Sequence, residues 1–277
     1  MLRINARAVW RLLFTGAAVL AGLALAREAA LGAIGYDTAL KDLRHLNLDS
    51  EMNFGAWYSS LMMMASAGLL FLTARQAARQ AESQGRGHTR SWLALAAAFA
   101  YLSLDEATGI HEVFIEPLRG AFGLSGIFYW AWVLPALVLV GGFGLAMVPF
   151  LLSLPRRSAA LFIASGALFV GGALGLEMAS GYVITARGEE APLVALLAIC
   201  EETLEMLGLA LFTGALCDHL ARQNEGAPVL AFSEPAAGSP NPRHPAGPAS
   251  VIKESPCRSP GSLDRDRACP YLCGDLC

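Results

Sequence analysis

The feature that most constrains this chain is a set of five long apolar stretches that contain no lysine or arginine. A helix needs about 20 mostly apolar residues to cross the hydrocarbon core of a bilayer, and each stretch has about that length. Charged residues make up only 16% of the chain, against roughly 25% in typical soluble domains. We therefore predict an all-α integral membrane bundle, with spans at 56–74, 91–115, 127–153, 158–184 and 191–217.

A sixth apolar segment lies near the N-terminus, at about 9–35. Arg3, Arg7 and Arg11 precede its apolar core, a pattern that is also typical of a cleavable signal peptide. We favour a retained helix, because the segment continues to residue 35 if Arg27 and Glu28 pair with each other. The prediction is then six transmembrane helices, or five if this segment is removed.

Basic residues predict how the bundle is oriented, since cytoplasmic connections of membrane proteins carry an excess of lysine and arginine. Six spans with both termini in the cytoplasm fit this rule, and we predict a bacterial cytoplasmic membrane protein of that topology. The connections then assigned to the cytoplasm hold most of the basic residues: Arg3, Arg7, Arg11, Arg75, Arg79, Arg86, Arg90, Arg156, Arg157 and Arg222.

Residues 221–277 differ in composition from the rest of the chain. They hold nine of the 14 prolines and four of the six cysteines, with almost no apolar run. Such a composition predicts a disordered cytoplasmic tail. The cysteines lack the paired C-x-x-C units of zinc sites. A net charge of −3 and the absence of a basic stripe also argue against nucleic acid as a partner.

Acidic residues within the predicted spans are the main functional signal. Carboxylates are costly in the bilayer core, and intramembrane acids usually mark sites or pathways. With no lysine or arginine in the five long spans, the predicted partner is a proton or a small cation. A divalent metal is the cofactor that such a site would hold. The predicted cation-binding residues are Asp105, Glu106, His111, Glu112, Glu177, Glu201, Glu202 and Glu205.

Helical spacing predicts which of these acids meet. Glu201, Glu202 and Glu205 cover an arc of about 100° and can all face one partner helix. Asp105 and Glu112 are seven residues apart and fall on one stripe of the helix. Glu106 and His111 flank that stripe on opposite sides and cannot face the same neighbour unless the helix kinks near Gly109. The pair Gly171 and Gly175 forms a G-x-x-x-G motif, which predicts close helix packing.

Three functions remain open at this point. The first is ion transport or proton-coupled transport, in which the acids bind the transported or coupling cation. The second is a membrane metalloenzyme acting on a lipid or prenyl substrate, with Glu202 or His111 as base. The third is a scaffold whose polar residues only join helices. An enzyme is the less favoured reading, because Glu201-Glu202 lacks the arginine that prenyl-protein proteases carry four residues later; Met206 stands there.

Two motifs resemble a group of uncharacterised bacterial polytopic membrane proteins. The first is E-x-N followed by W-x-S-S, formed by Glu51-Met52-Asn53 and Trp57-Tyr58-Ser59-Ser60. The second is L-S-L-D-E at 102–106, followed after four intervening residues by His111-Glu112. The resemblance covers the six spans and excludes the tail, and it implies a bacterial inner membrane without implying a chemical activity. It also draws attention to Glu51 and Asn53 as an outer access to the site.

Overall fold

The computed structural model describes residues 6–35, 43–48, 50, 52–84 and 88–223, and within them all regular structure is helical. The predicted tail at 221–277 lies almost entirely outside the described residues, as does Glu51. The helices are α1 (Ala6–Ile34), α2 (Phe54–Gln84), α3 (Thr89–Thr108), α4 (Ile115–Phe122), α5 (Val133–Ser153), α6 (Arg156–Val170), α7 (Glu177–Arg187) and α8 (Pro192–Gln223).

Four helical segments are long and apolar enough to cross a membrane. The pair formed by Thr89–Thr108 and His111–Phe122 adds a fifth if the two bent pieces count as one span. The helix α8 is long enough but carries Glu201, Glu202, Glu205 and Asp218, and it is not among these segments. The four are Arg7–Ile34, Phe54–Arg79, Val133–Ser153 and Arg156–Arg187.

The predicted continuous helix at 91–115 is wrong, because α3 ends at Thr108. Gly109 adopts the left-handed conformation with φ +61°, and the following helical piece is bent by 75° from α3. Glycine reaches this conformation without the steric cost that a Cβ imposes. The prediction that Asp105 and Glu112 share one helical stripe is therefore also wrong.

The remaining helix boundaries differ from the predictions at two further places. The fourth predicted span, 127–153, begins as a helix only at Val133, because a 3₁₀ turn at Gly126–Phe128 and a further turn precede it. The fifth, 158–184, is interrupted by a π-helical turn at Gly171–Leu176 between α6 and α7. Turns of this kind widen the helix locally and are frequent at functional sites.

The most buried helix is α8, which packs against α1, α2, α6 and α7. Gly208 lies so close to α6 that an added Cβ would stand 2.8 Å from the Phe169 nitrogen and 2.9 Å from the Ser165 oxygen. Between Glu205 and its C-terminal end, α8 carries buried apolar residues such as Met206, Leu209 and Leu216. These residues form an apolar core on the C-terminal side of the acidic residues of α8.

The outer faces of the bundle carry exposed apolar side chains. In α5, Val138, Leu139, Leu145 and Leu152 each leave more than 70% of their surface uncovered. A contiguous apolar surface of this kind is uncommon on soluble monomers. It fits helices that are solvated by lipid chains. The predicted Arg27–Glu28 ion pair in α1 is present, so the two charges in the second half of this helix compensate each other.

Candidate functional site

The break after α3 is stabilised by the side chain of Asp105. One carboxylate oxygen accepts the backbone N–H of His111 at 2.9 Å, and the other lies 2.8 Å from His111 Nδ1. The first contact satisfies a donor that a continuing helix would have bonded to its own backbone. The second fixes the imidazole ring. Asp105 and His111 therefore form a pair across the bend, and Glu112 lies close enough to act on the histidine electrostatically.

Trp132 connects this bend to the start of α7. Its ring centroid lies 4.5 Å from that of His111, and its Nε1–H donates to Glu177 Oε1 at 3.1 Å. Glu177 is the first residue of α7, directly after the π-helical turn. The indole therefore places the bend after α3 beside the π-helical turn, although 45 residues separate Trp132 from Glu177 in the chain.

The acids of α8 lie next to Glu177. The carboxyl groups of Glu177 and Glu201 are close enough to interact electrostatically. Two carboxyl groups that lie together repel each other when both are ionised, and a proton or a cation between them removes the repulsion. Glu177 and Glu201 thus place two acids side by side between α7 and α8.

Glu205, one helical turn below Glu201, is buried, with 8% of its surface exposed. The charged groups that act on it are the carboxylates of Glu202, Glu106 and Glu177. Glu106, on α3, also interacts electrostatically with Asp105 and His111. Glu205 is therefore the deepest member of a continuous group of acids that runs from the Asp105–His111 pair through α3, α7 and α8.

The nearby arginines do not neutralise this group. Arg119 pairs with Glu116 and stacks on the Tyr129 ring, with its guanidinium carbon 4.4 Å from the ring centroid. Arg187 is exposed at the end of α7. Within the described ranges, the charged groups acting on Glu201 and Glu205 are all carboxylates.

The π-helical turn approaches α8 through Gly172. A Cβ at this position would stand 2.9 Å from the Glu201 carbonyl oxygen and 3.1 Å from Glu205 Cγ. At Gly171 and Gly175, by contrast, an added Cβ would have no neighbour within 4 Å among the described residues. The close approach that the G-x-x-x-G motif predicted thus falls on the glycine between the two named ones.

The residues at the start of α2 have two different roles. Asn53 is buried, and its Oδ1 accepts the Ala56 N–H at 2.8 Å while its Nδ2 donates to the Leu48 oxygen at 3.2 Å. It therefore holds the turn into α2, and it also belongs to the lining of a pocket that Glu106 shares. Glu202 lies over Gly55, 3.8 Å from the position of an added Cβ.

Metal binding has little geometric support. Among residues 6–223 that the structure describes, no three or more His, Cys, Asp and Glu side chains are grouped to hold a metal ion. The acids instead lie near enough to one another to interact electrostatically. Trp132, Gly172 and Gly55 were not predicted as site residues. Only Gly172 had a signal, since it belongs to a glycine-rich segment that ends in an intramembrane acid.

An open pocket of about 450 Å³ lies where α2 begins and α3 ends. Its lining includes His45, Met52, Phe54, Trp57 and Glu106. The pocket therefore reaches a member of the acidic group from the surface.

Together, these observations define an all-helical protein with several helices able to span a membrane and a group of acids between them. The chain belongs to the family defined by a domain of unknown function (DUF8692), which matches residues 11–219. This agrees with the predicted resemblance to an uncharacterised family and, as predicted, leaves out the tail. No curated protein and no solved structure matches the chain.

Proposed function

We propose that this chain is a proton-coupled membrane transporter in which Glu106, Glu177, Glu201 and Glu205 hold the exchanged protons. The observation that carries the proposal is the electrostatic coupling of the Glu177 and Glu201 carboxyl groups, which lie one helical turn from the buried Glu205. Acids that are only structural would be expected to pair with bases or backbone donors. Here, the Trp132 Nε1–H donates to Glu177, and the charged groups that act on the neighbouring Glu201 are acids.

Access to the site supports transport rather than a purely structural role. Glu106 lines an open pocket, whereas the buried residues Met206, Leu209 and Leu216 fill the interior between Glu205 and the C-terminal end of α8. A carrier that alternates its access needs one side open and the other closed in any one state. The described arrangement corresponds to a state that is open toward the pocket.

The topology in this proposal has six spans, with α8 as the last and both termini in the cytoplasm of a bacterial cell. Its support is the apolar surface of the bundle together with the distribution of arginines. In a cysteine-free background, Glu190→Cys should react with a membrane-impermeant maleimide in intact spheroplasts, whereas Arg156→Cys should react only after lysis. Both positions are exposed. The reverse labelling pattern would contradict this orientation.

Proton sharing can be observed directly by infrared spectroscopy. The purified protein at neutral pH should show the C=O stretch of protonated carboxyl groups, which shifts in D₂O and disappears as the pH is raised. Glu201→Gln should remove a large part of this band, because it takes away one member of the shared pair. Glu116→Gln is the matched control, since Glu116 is exposed and paired with Arg119.

The outcomes separate the three functions. A band that Glu201→Gln leaves unchanged would contradict the proposed proton site. Loss of the band on addition of Mg²⁺ or Mn²⁺ would favour the metalloenzyme, because metal ligands must be deprotonated. Normal infrared titration without any flux in liposomes would favour the scaffold.

A further inference from the structure

The pocket at the start of α2 has aromatic walls and one acidic side chain. Phe54 and Trp57 belong to its lining, and the His45 ring lies 5.9 Å from that of Phe54. Its volume of about 450 Å³ lies within the ~300–1,000 Å³ range of small-molecule sites. Glu106 is the carboxylate among its lining residues.

The other polar groups of the pocket are engaged with the protein. The His45 Nδ1 lies 3.1 Å from the Met52 oxygen, and the Ser60 hydroxyl lies 2.9 Å from the Ser103 oxygen. Asn53 is held by its contacts to Leu48 and Ala56. Glu106 therefore remains as the group that can neutralise a ligand charge. A single carboxylate is a poor site for Mg²⁺ or Ca²⁺, which take six or more oxygen ligands.

Aromatic rings beside a carboxylate match the chemistry of an organic cation. An ammonium group is attracted by the faces of aromatic rings and by the carboxylate, and its apolar substituents bury well against Trp and Phe. A second groove continues from the same two aromatics. It runs between α1 and α2 and is almost wholly apolar. Its lining consists of Leu12, Thr15, Gly16, Val19, Leu20, Phe54, Trp57 and Tyr58. An apolar substituent thus has space to extend beyond the pocket.

We propose that the pocket lined by Trp57, Phe54 and Glu106 binds a monovalent organic cation, an ammonium group on an apolar body, in exchange for the Glu106 proton. This inference rests on the proposed transport function and names its substrate class. The step conserves charge: the cation enters, the Glu106 O–H bond breaks, and one proton leaves the carboxyl group. The groups that face Glu106 are Asp105 on its own helix, His111 beyond the bend and Glu205 on α8.

The test uses benzyltrimethylammonium as the probe, with the full chain in nanodiscs and equilibrium dialysis as the readout. Affinity should rise as the pH rises, because ionised Glu106 binds the cation and protonated Glu106 does not. In weakly buffered solution, a pH dye should report about one proton released per cation bound. Benzyl alcohol lacks the charge and tetramethylammonium lacks the aromatic body, so each should bind at least tenfold more weakly.

Two variants locate the site. Glu106→Gln should weaken binding at least tenfold and remove both the pH dependence and the proton release. Trp57→Ala should weaken binding, whereas Trp57→Phe should retain most of it, because the ring face is kept. Trp57 is 63% exposed, so neither change should disturb the core. Glu116→Gln should bind like the wild type.

The results also separate this inference from the proposed function. If Glu201→Gln removes the infrared band but benzyltrimethylammonium does not bind the wild type at any pH, the substrate class is wrong and the proton site stands. If the cation binds but no proton is released, or Glu106→Gln binds as tightly as the wild type, the exchange at Glu106 is overturned. Competition by Na⁺ or Mg²⁺ at equal concentration would also overturn the preference for an organic cation.

Discussion

Replacing Glu205 by glutamine should abolish proton-coupled flux while leaving the protein folded. Glutamine has nearly the shape of a protonated glutamic acid and adds no charge to this buried position. The variant keeps the packing of α8 but cannot release or accept a proton. We expect at least a tenfold loss of flux, with little loss of thermal stability.

The measurement uses proteoliposomes that contain a pH-sensitive dye. A panel of cations is added outside under a clamped membrane potential: Na⁺, K⁺, Mg²⁺, Ca²⁺, Mn²⁺ and benzyltrimethylammonium. The wild-type protein should change the internal pH with at least one of them. Glu116→Gln serves as the control for a lost acid outside the group. Undiminished flux in Glu205→Gln would remove Glu205 from the mechanism.

Gly172→Ala should disrupt the site through the backbone. The new Cβ would stand 2.9 Å from the Glu201 carbonyl oxygen, which belongs to the backbone of α8 and cannot rotate away. The π-turn would therefore have to move outward and take Glu177 away from Glu201. Overpacking of this kind costs about 1–3 kcal/mol, and we expect the shared-proton infrared band to weaken with it.

Gly171→Ala and Gly175→Ala are matched controls on the same turn, since an added Cβ at either position meets open space. Both should stay within about 0.5 kcal/mol of the wild type, as surface substitutions usually do. Scanning fluorimetry in detergent measures the stability of all three variants, and infrared spectroscopy measures the band. Equal behaviour of Gly171→Ala and Gly172→Ala would contradict the close packing of Gly172 on α8.

The sequence predicted the acidic group better than it predicted the geometry of the group. Carboxylates in apolar stretches have few favourable places other than the interior of a bundle, so Glu106, Glu201 and Glu205 could be assigned to one site without coordinates. The same cost of exposing carboxylates to lipid explains why these acids lie near one another. Composition and hydrophobic length also sufficed for the all-helical class.

The break after α3 could not be predicted in the same way. Residues 91–115 form one apolar run, and glycine occurs within many membrane helices. The Asp105 carboxylate stabilises the break by accepting the N–H of His111, a contact that exists only once the bend has formed. The π-turn raises a similar difficulty. It alters the helical register within the glycine-rich segment, so Gly172 faces α8 where the motif had indicated Gly171 and Gly175.

Contacts between residues that are distant in the chain could not be predicted for a different reason. The hydrogen bond from Trp132 to Glu177 joins a turn residue just before α5 to the first residue of α7, and neither local spacing nor composition indicates that they meet. The E-x-N motif did not indicate that the Asn53 side chain bonds to Leu48 and Ala56 in the turn into α2.

The bend at Gly109 has a consequence for hydration. From Gly109 to Trp132 the chain alternates between turns, short 3₁₀ segments and one helix of eight residues, so many of its backbone groups lack α-helical partners. Within a bilayer, backbone of this kind is stable only where it is covered by protein or faces water. Water should therefore enter the protein along this segment and reach the Asp105–His111 pair, which makes the bend the wet boundary of an otherwise dry bundle.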